Sequence, residues 1–365
     1  METNRQILER LFETEAINLE RSPLFDTPPS PLPDTFTFDR IEGMLLGVAI
    51  GDALGCTSEG QLPAFRESRY GEIRDYLPNR YANGASVGLP SDDTQLTFWT
   101  LEQLLADGKL DPAHIAARFA RGCIFGVGST VKQFLRHYHI GVPWYRCGLE
   151  SAGNGALMRI SPILLPYLQA PSTDLWVDTA ILAMLTHNDR AATSSCLAFV
   201  SMLWALLQME HAPDPTWWVE HYVTLARELE GATAYTARGG GFVDYKAPLW
   251  QLIETKVPEA CAQGKSVREA CDTWLSGAYL FETLPSVLYI LMQHADDPEE
   301  ALVRAINDTK DNDTIASIVG AAIGALHGKQ GLPQRWIAAL PGYTTDRDEG
   351  RVYELLTQAR EAWWK

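Results

Sequence analysis

Two short runs of this 365-residue chain pair carboxylates with hydroxyls just before helical stretches. They are Ser91-Asp92-Asp93-Thr94, ahead of an apolar run from Gln95 to Leu105, and Asp311-Asn312-Asp313-Thr314, ahead of a helix expected to begin at Ile315. Taken singly, either is explained by capping, since Ser or Asp before a helix satisfies orphan N–H groups and acids there suit the macrodipole. One cap needs one side-chain oxygen, however, and two such clusters read as halves of one oxygen-ligand metal site. Aspartates, hydroxyls and water are what hard divalent cations take, and no Cys/His pattern suited to zinc is present. Residues i and i+2 do not share a helix face, so Asp311 and Asp313 converge only if Asp311 precedes its helix.

Four other stretches carry candidate residues. Gly43, Gly47, Gly51 and Gly55 fall on one face of a helical run from Ile41, which points to close approach by another backbone or a ligand, and Glu59 follows just past its end. Gly126-Val127-Gly128-Ser129-Thr130 opens a helix; such a turn suits a phosphate, and a plain tight turn explains it equally. Ser151-Ala152-Gly153-Asn154-Gly155 is a small-residue turn expected to enter a helix, with main-chain N–H groups and an amide free for a ligand. His187, in the break Thr186-His187-Asn188-Asp189, suits a core or capping histidine by its local context.

The elements that must position these groups are helical almost throughout. Strand-like alternation is scarce, so the expected fold is all-α, with one large domain over 39–365. Residues 1–38 differ: a short amphipathic helix precedes a Pro-rich extended segment from Ser22 to Pro33. This arm either packs on its own domain or carries Leu24 and Phe25 to a partner's surface. A net charge of −16 argues against nucleic-acid or anionic-membrane surfaces. Six scattered cysteines without a C-x-x-C pair read as reduced thiols. With no signal-peptide pattern and no apolar run judged long enough to span a bilayer, a soluble cytoplasmic protein is expected.

Gly51-Asp52-Ala53-Leu54-Gly55 with Glu59, both acidic clusters, Gly153-Asn154-Gly155-Ala156-Leu157-Met158-Arg159 and Thr186-His187 together resemble the ADP-ribosylglycohydrolases, from about residue 40 to 340. The resemblance implies an orthogonal all-α bundle, a binuclear Mg²⁺ or Mn²⁺ centre and hydrolysis of the bond between ADP-ribose and a protein side chain, with arginine the first acceptor. It implies Ser91, Asp92, Asp93, Asp311, Asp313 and Thr314 as metal ligands. Gly126, Gly128, Ser151, Gly153, Asn154 and His187 would contact the substrate, with Glu59 at the site's edge. Two departures stand out: Ser91 where Thr is common, and Thr309-Lys310 where two glycines are usual, which adds a cation near the metals. An oxocarbenium-like transition state calls for a general base for water, which the sequence leaves open among Asp92, Asp93, Asp313 and Glu59. The alternative is an immunity protein occluding an ADP-ribosyltransferase through residues 1–38.

Overall fold

A computed structural model describes residues 2–364. Its helices in chain order are α1 (Asn4–Glu13), α2 (Asp39–Gly55), α3 (Pro63–Tyr70), α4 (Asp92–Asp107), α5 (Pro112–Ala120), α6 (Ser129–His139), α7 (Asp174–Met184) and α8 (Arg190–Leu206). The second half contributes α9 (Pro215–Glu230), α10 (Leu249–Ala262), α11 (Val267–Trp274), α12 (Leu280–His294), α13 (Pro298–Asp308), α14 (Asn312–Gly331), α15 (Gln334–Ala338) and α16 (Arg351–Trp363). Among the described residues the strands amount to one ribbon, Tyr235–Thr236 against Lys246–Ala247. The fold is the expected all-α bundle.

Its axis is the pair α2 and α14. From Gly43 to Gly55 every α2 residue is buried, so this helix has no solvent face and reads as a core element. What packs on it is largely backbone. A Cβ placed on Gly47 would lie 2.0 Å from the carbonyl oxygen of Gly320, and one on Gly55 would lie 2.4 Å from Cα of Asp313. The glycine face therefore serves a second helix, and it sets the end of α2 against the start of α14. The stretch Asp39–Ser58, at mean hydropathy 1.2, is long and apolar enough to cross a membrane, which corrects the expectation that no run qualifies. It is 83% buried within the bundle, which is reason enough for its composition.

Three boundaries also depart from expectation. α14 begins at Asn312 instead of Ile315, and α4 begins at Asp92, so both acidic runs lie partly inside their helices. Beyond Ser151–Gly155 the chain forms 3₁₀ turns, Leu157–Arg159 and Ser161–Tyr167, where Pro162 and Pro166 remove the donors a longer α-helix needs. The arm lies against the bundle. Leu8, Leu11 and Phe25 are buried, Asn4 Nδ2 donates to Asp178 Oδ1 (2.7 Å), and Trp176 and Trp204 donate to the carbonyls of Thr27 and Ser30.

Gly47→Ala should push two backbones apart, lowering stability by at least about 2 kcal/mol in urea unfolding. Gly128→Ala, at φ −68° with nothing within 4 Å of the new methyl, should stay within about 0.5 kcal/mol. Equal effects would contradict the close-packing account.

Candidate metal centre

The site is built around Asp52, a carboxylate that the sequence reading assigned no role. It sits on α2 between Gly51 and Gly55, fully buried, and faces the N-terminus of α4. Its Oδ2 accepts from the backbone N–H of Ser91 (2.8 Å) and of Thr94 (3.1 Å) and from the Thr94 hydroxyl, while Oδ1 accepts from Ser91 Oγ (2.6 Å). Ser91 is the N-cap of α4 but its side chain makes no cap bond; the Ser91 and Thr94 N–H groups are satisfied from another helix. Asp311, the N-cap of α14, likewise makes no cap bond. It lies outside the helix at φ −89°, ψ 68°, and its Oδ2 accepts from Asn154 Nδ2 (2.6 Å). Capping by their own side chains thus explains neither cluster.

The two clusters meet. Thr314 Oγ1 donates to Asp93 Oδ2 at 3.3 Å, across 221 positions of sequence. Asn312 Nδ2 holds the start of α14 to Ser58 Oγ (3.0 Å) and to the carbonyl of Gly55 (3.3 Å). Two carboxylate groups result, Asp52 with Asp93 and Asp313, and Glu59 with Asp311 and Asp313. In each, one oxygen per residue lies within 4.8 Å of the others, and Asp313 belongs to both. Both Asp52 oxygens accept hydrogen bonds, whereas Asp93 accepts on Oδ2 only and Asp313 accepts from the Thr314 N–H on Oδ1.

Burial and like charge act together on this cluster. Burial, then Asp52, raises Asp93 well above the carboxylate range, and burial, then Asp311, does the same to Asp313. Burial raises Asp311 to about 6 despite the Asn154 bond, and burial with Asp52 takes Asp92 to about 7. Asp93 Oδ1 is buried and accepts no hydrogen bond. A buried carboxylate oxygen with no donor, amid like charges, is the environment a hard cation stabilises. The Ser91 and Thr314 hydroxyls donate to Asp52 and Asp93, which leaves their lone pairs for the same purpose. The donor set fits divalent cations.

The other expected residues surround these acids. Asp92 lies outside both carboxylate groups, close to Gly126 and held down slightly by the N–H of Gly128. Glu59 is solvent-exposed on its outer side, and partial desolvation, then Asp52, raises its pKa. Glu59, Ser91 and Gly126 line a cleft of about 830 Å³ that also takes in Tyr81, Tyr343 and Glu349. Asn154 bonds Asp311, and Ser151 Oγ pairs with Thr130 Oγ1 (3.0 Å) in the first turn of α6, which follows Gly126 and Gly128. His187 is buried against that turn, with Nε2 3.4 Å from where a Gly153 Cβ would be. Burial, then Arg159, lowers its pKa to about 3, so it is neutral, with Nδ1 paired to Thr186 Oγ1 (2.8 Å). Ser151, Gly153, Asn154 and His187 do not line the 830 Å³ cleft. Lys310 is exposed and slightly lowers Asp311. The signal for Asp52 was available, the one acid in the otherwise apolar, glycine-rich run from Gly43 to Gly55.

Known proteins place the chain. The family model for ADP-ribosylglycohydrolase matches residues 33–363. The chain is 27% identical over 306 residues to ADP-ribosyl-[dinitrogen reductase] glycohydrolase of Rhodospirillum rubrum, covering 83% of this chain and 90% of that one. It is 25% identical over 314 residues to ADP-ribosylarginine hydrolase Tri1 of Pseudomonas putida, covering 82% and 73%. With human ADP-ribosylhydrolase ARH3 it shares 25% over 335 residues, covering 84% and 90%. A solved structure described as an ADP-ribosylglycohydrolase-related protein complex superposes with a TM-score of 0.65 at 26% identity, over 89% of this chain and 97% of that one. With helices, paired acidic clusters and family model in agreement over nearly its whole length, the chain belongs to the ADP-ribosylglycohydrolase family.

Proposed function

We propose that this chain hydrolyses the glycosidic bond between ADP-ribose and a modified protein side chain, arginine foremost, and that it does so with two Mg²⁺ or Mn²⁺ ions. The observation that carries the reading is Asp313, whose carboxylate belongs to two acidic groups at once. The arginine acceptor draws support from the relatives whose names state ADP-ribosylarginine hydrolysis. Asp93, Asp311 and Asp313 would hold the ions with the Ser91 and Thr314 hydroxyls, and Asp92 would join from the Gly126 side. Bound ions supply Lewis acidity, which orients the ribose hydroxyls and steadies developing charge.

The rest is the work of this chain's own groups. Glu59 is the carboxylate of the cluster that faces the cleft, and its raised pKa suits a proton acceptor. As the C–N bond breaks with its electron pair going to the leaving guanidine, water oxygen bonds to the ribose carbon. Glu59 takes the water's proton and returns it to the departing nitrogen. The amide and backbone N–H that the sequence reading left free on Asn154 are taken by Asp311, Thr283 and the Ala278 carbonyl, so Asn154 holds the turn and Asp311 in place, and neutral His187 backs that turn. Occlusion of a transferase by residues 1–38 finds less support, because Leu8, Leu11 and Phe25 are buried in the arm's own domain.

Asp313→Asn should lower kcat/KM on an ADP-ribosylarginine protein by at least about 10³-fold and abolish the thermal shift caused by Mg²⁺. Asp52→Asn should stay folded and weaken Mg²⁺ binding about 10–100-fold, as loss of a group that orients ligands does. Wild-type turnover in both variants would contradict the reading.

Metal removal should show a pH signature. Without ions, Asp92 and Asp311 titrate near 7 and 6 in the folded protein, against about 3.9 unfolded. Folding then takes up protons between these values, so metal-free stability falls as pH rises from 5 to 8. Bound cations keep these groups ionised and remove that loss. The difference in Tm between Mg²⁺-loaded and EDTA-treated protein should therefore widen from pH 5.5 to pH 8; a constant gap would count against it.

A further inference from the structure

Arg159 is a buried cation without an anion. Its side chain is fully buried, no carboxylate pairs with it among the described residues, and Nε and Nη1 have no hydrogen-bond partner. The guanidinium lies 5.0 Å from the centroid of the Phe119 ring. Its hydrogen bonds run from Nη2 alone, to the Leu182 carbonyl (3.1 Å) and to Thr186 Oγ1 (2.8 Å). Burial lowers its pKa only to about 10, so the group is charged at neutral pH. A charge buried without a counter-charge is costly, and here one of its two partners leads to the candidate site. The Thr186 hydroxyl, also fully buried, lies 2.8 Å from His187 Nδ1.

Where each proton sits follows from the donors. A guanidinium has hydrogens and no lone pair to offer, so Thr186 Oγ1 accepts from Arg159. The hydroxyl hydrogen then has one acceptor among the described residues, His187 Nδ1. With Nδ1 protonated instead, two donors would converge on Oγ1 and a buried hydroxyl hydrogen would go unpaired, which native structures avoid. A neutral ring that accepts at Nδ1 carries its proton on Nε2. That nitrogen makes no hydrogen bond among the described residues, although His187 is only 2% exposed. It lies 3.4 Å from where a Gly153 Cβ would be, and Ser151 Oγ stands at the same distance from that point. Glycine leaves this space open, with an N–H on one side and a hydroxyl on the other.

We propose that Arg159 and Thr186 are positioning residues that hold His187 in its Nε2–H form, so that beside Gly153 the chain presents a donor to an acceptor oxygen of its ligand. That the oxygen belongs to ADP-ribose rests on the hydrolase reading above; the tautomer does not. The contribution is to binding, so it is read in affinity.

Nitrogen-15 NMR of the full chain in Mg²⁺, with the His187 signals assigned by their loss in His187→Gln, reads the tautomer with no substrate present. A protonated Nε2 and an unprotonated Nδ1 are expected; the reverse, or a mixture, overturns the proposal. Titration calorimetry with ADP-ribose then separates the Thr186 hydroxyl from its bulk. Thr186→Val keeps the shape and removes both hydrogen bonds, and should weaken ADP-ribose binding about tenfold. Thr186→Ser keeps the hydroxyl and should bind within about twofold of wild type. Wild-type affinity in Thr186→Val, or equal loss in the two variants, overturns the proposal. If the wild-type chain neither binds ADP-ribose nor releases it from a modified protein, the hydrolase reading itself has failed. In that case, or if Thr186→Val does not fold, the wild-type spectrum alone upholds or overturns the assignment of Arg159 and Thr186.

Discussion

Two helix backbones in this molecule meet with no room for a side chain between them, and the site depends on it. Gly47 of α2 faces Gly320 of α14 with no room for a methyl group between them, and Gly55 faces Asp313 the same way. Side chains between these helices would separate their axes. That separation would carry Asp52 away from the start of α4 and Asp313 away from Asp93. Helix propensity is sacrificed along α2 for the sake of position, and the cost is offset by burial of nearly the whole helix.

Given that contact, charge determines the rest. Asp93, Asp311 and Asp313 lie at helix N-termini and Asp52, in the last turn of α2, faces the N-terminus of α4, where N–H groups and dipoles favour anions, yet burial still raises every one of them. Asp52 resolves its share by accepting from Ser91 and Thr94, acting as a cap for a helix to which it does not belong. Asp93 and Asp313 have no such complement of donors. An arrangement this unfavourable without cations is coherent when divalent charge is part of the folded state.

Much of this was legible in the chain. The two hydroxyl–acid runs, the glycine face, Glu59 and the Asn154 turn can each be picked out because side-chain type and local spacing carry their meaning. Asp52 could be seen but not interpreted, since its partners lie 39 and 42 positions away and a cap supplied from another helix leaves no local signature. The start of α14 was misplaced for the same reason, as Asn312 and Asp311 are satisfied by Gly55, Ser58 and Asn154. The cleft walls could not be anticipated at all, because turns some 260 positions apart form them. Apolarity misled in one place: α2 has the composition of a membrane span because a helix with no exposed face needs it.

The claim that everything else depends on is that Asp313 is shared by two divalent ions. Anomalous diffraction from crystals grown in Mn²⁺ tests it most directly. Two peaks are expected, one against Asp93 and the other against Glu59 and Asp311, with Asp313 touching both. A single peak, or none beside Asp313, would contradict it.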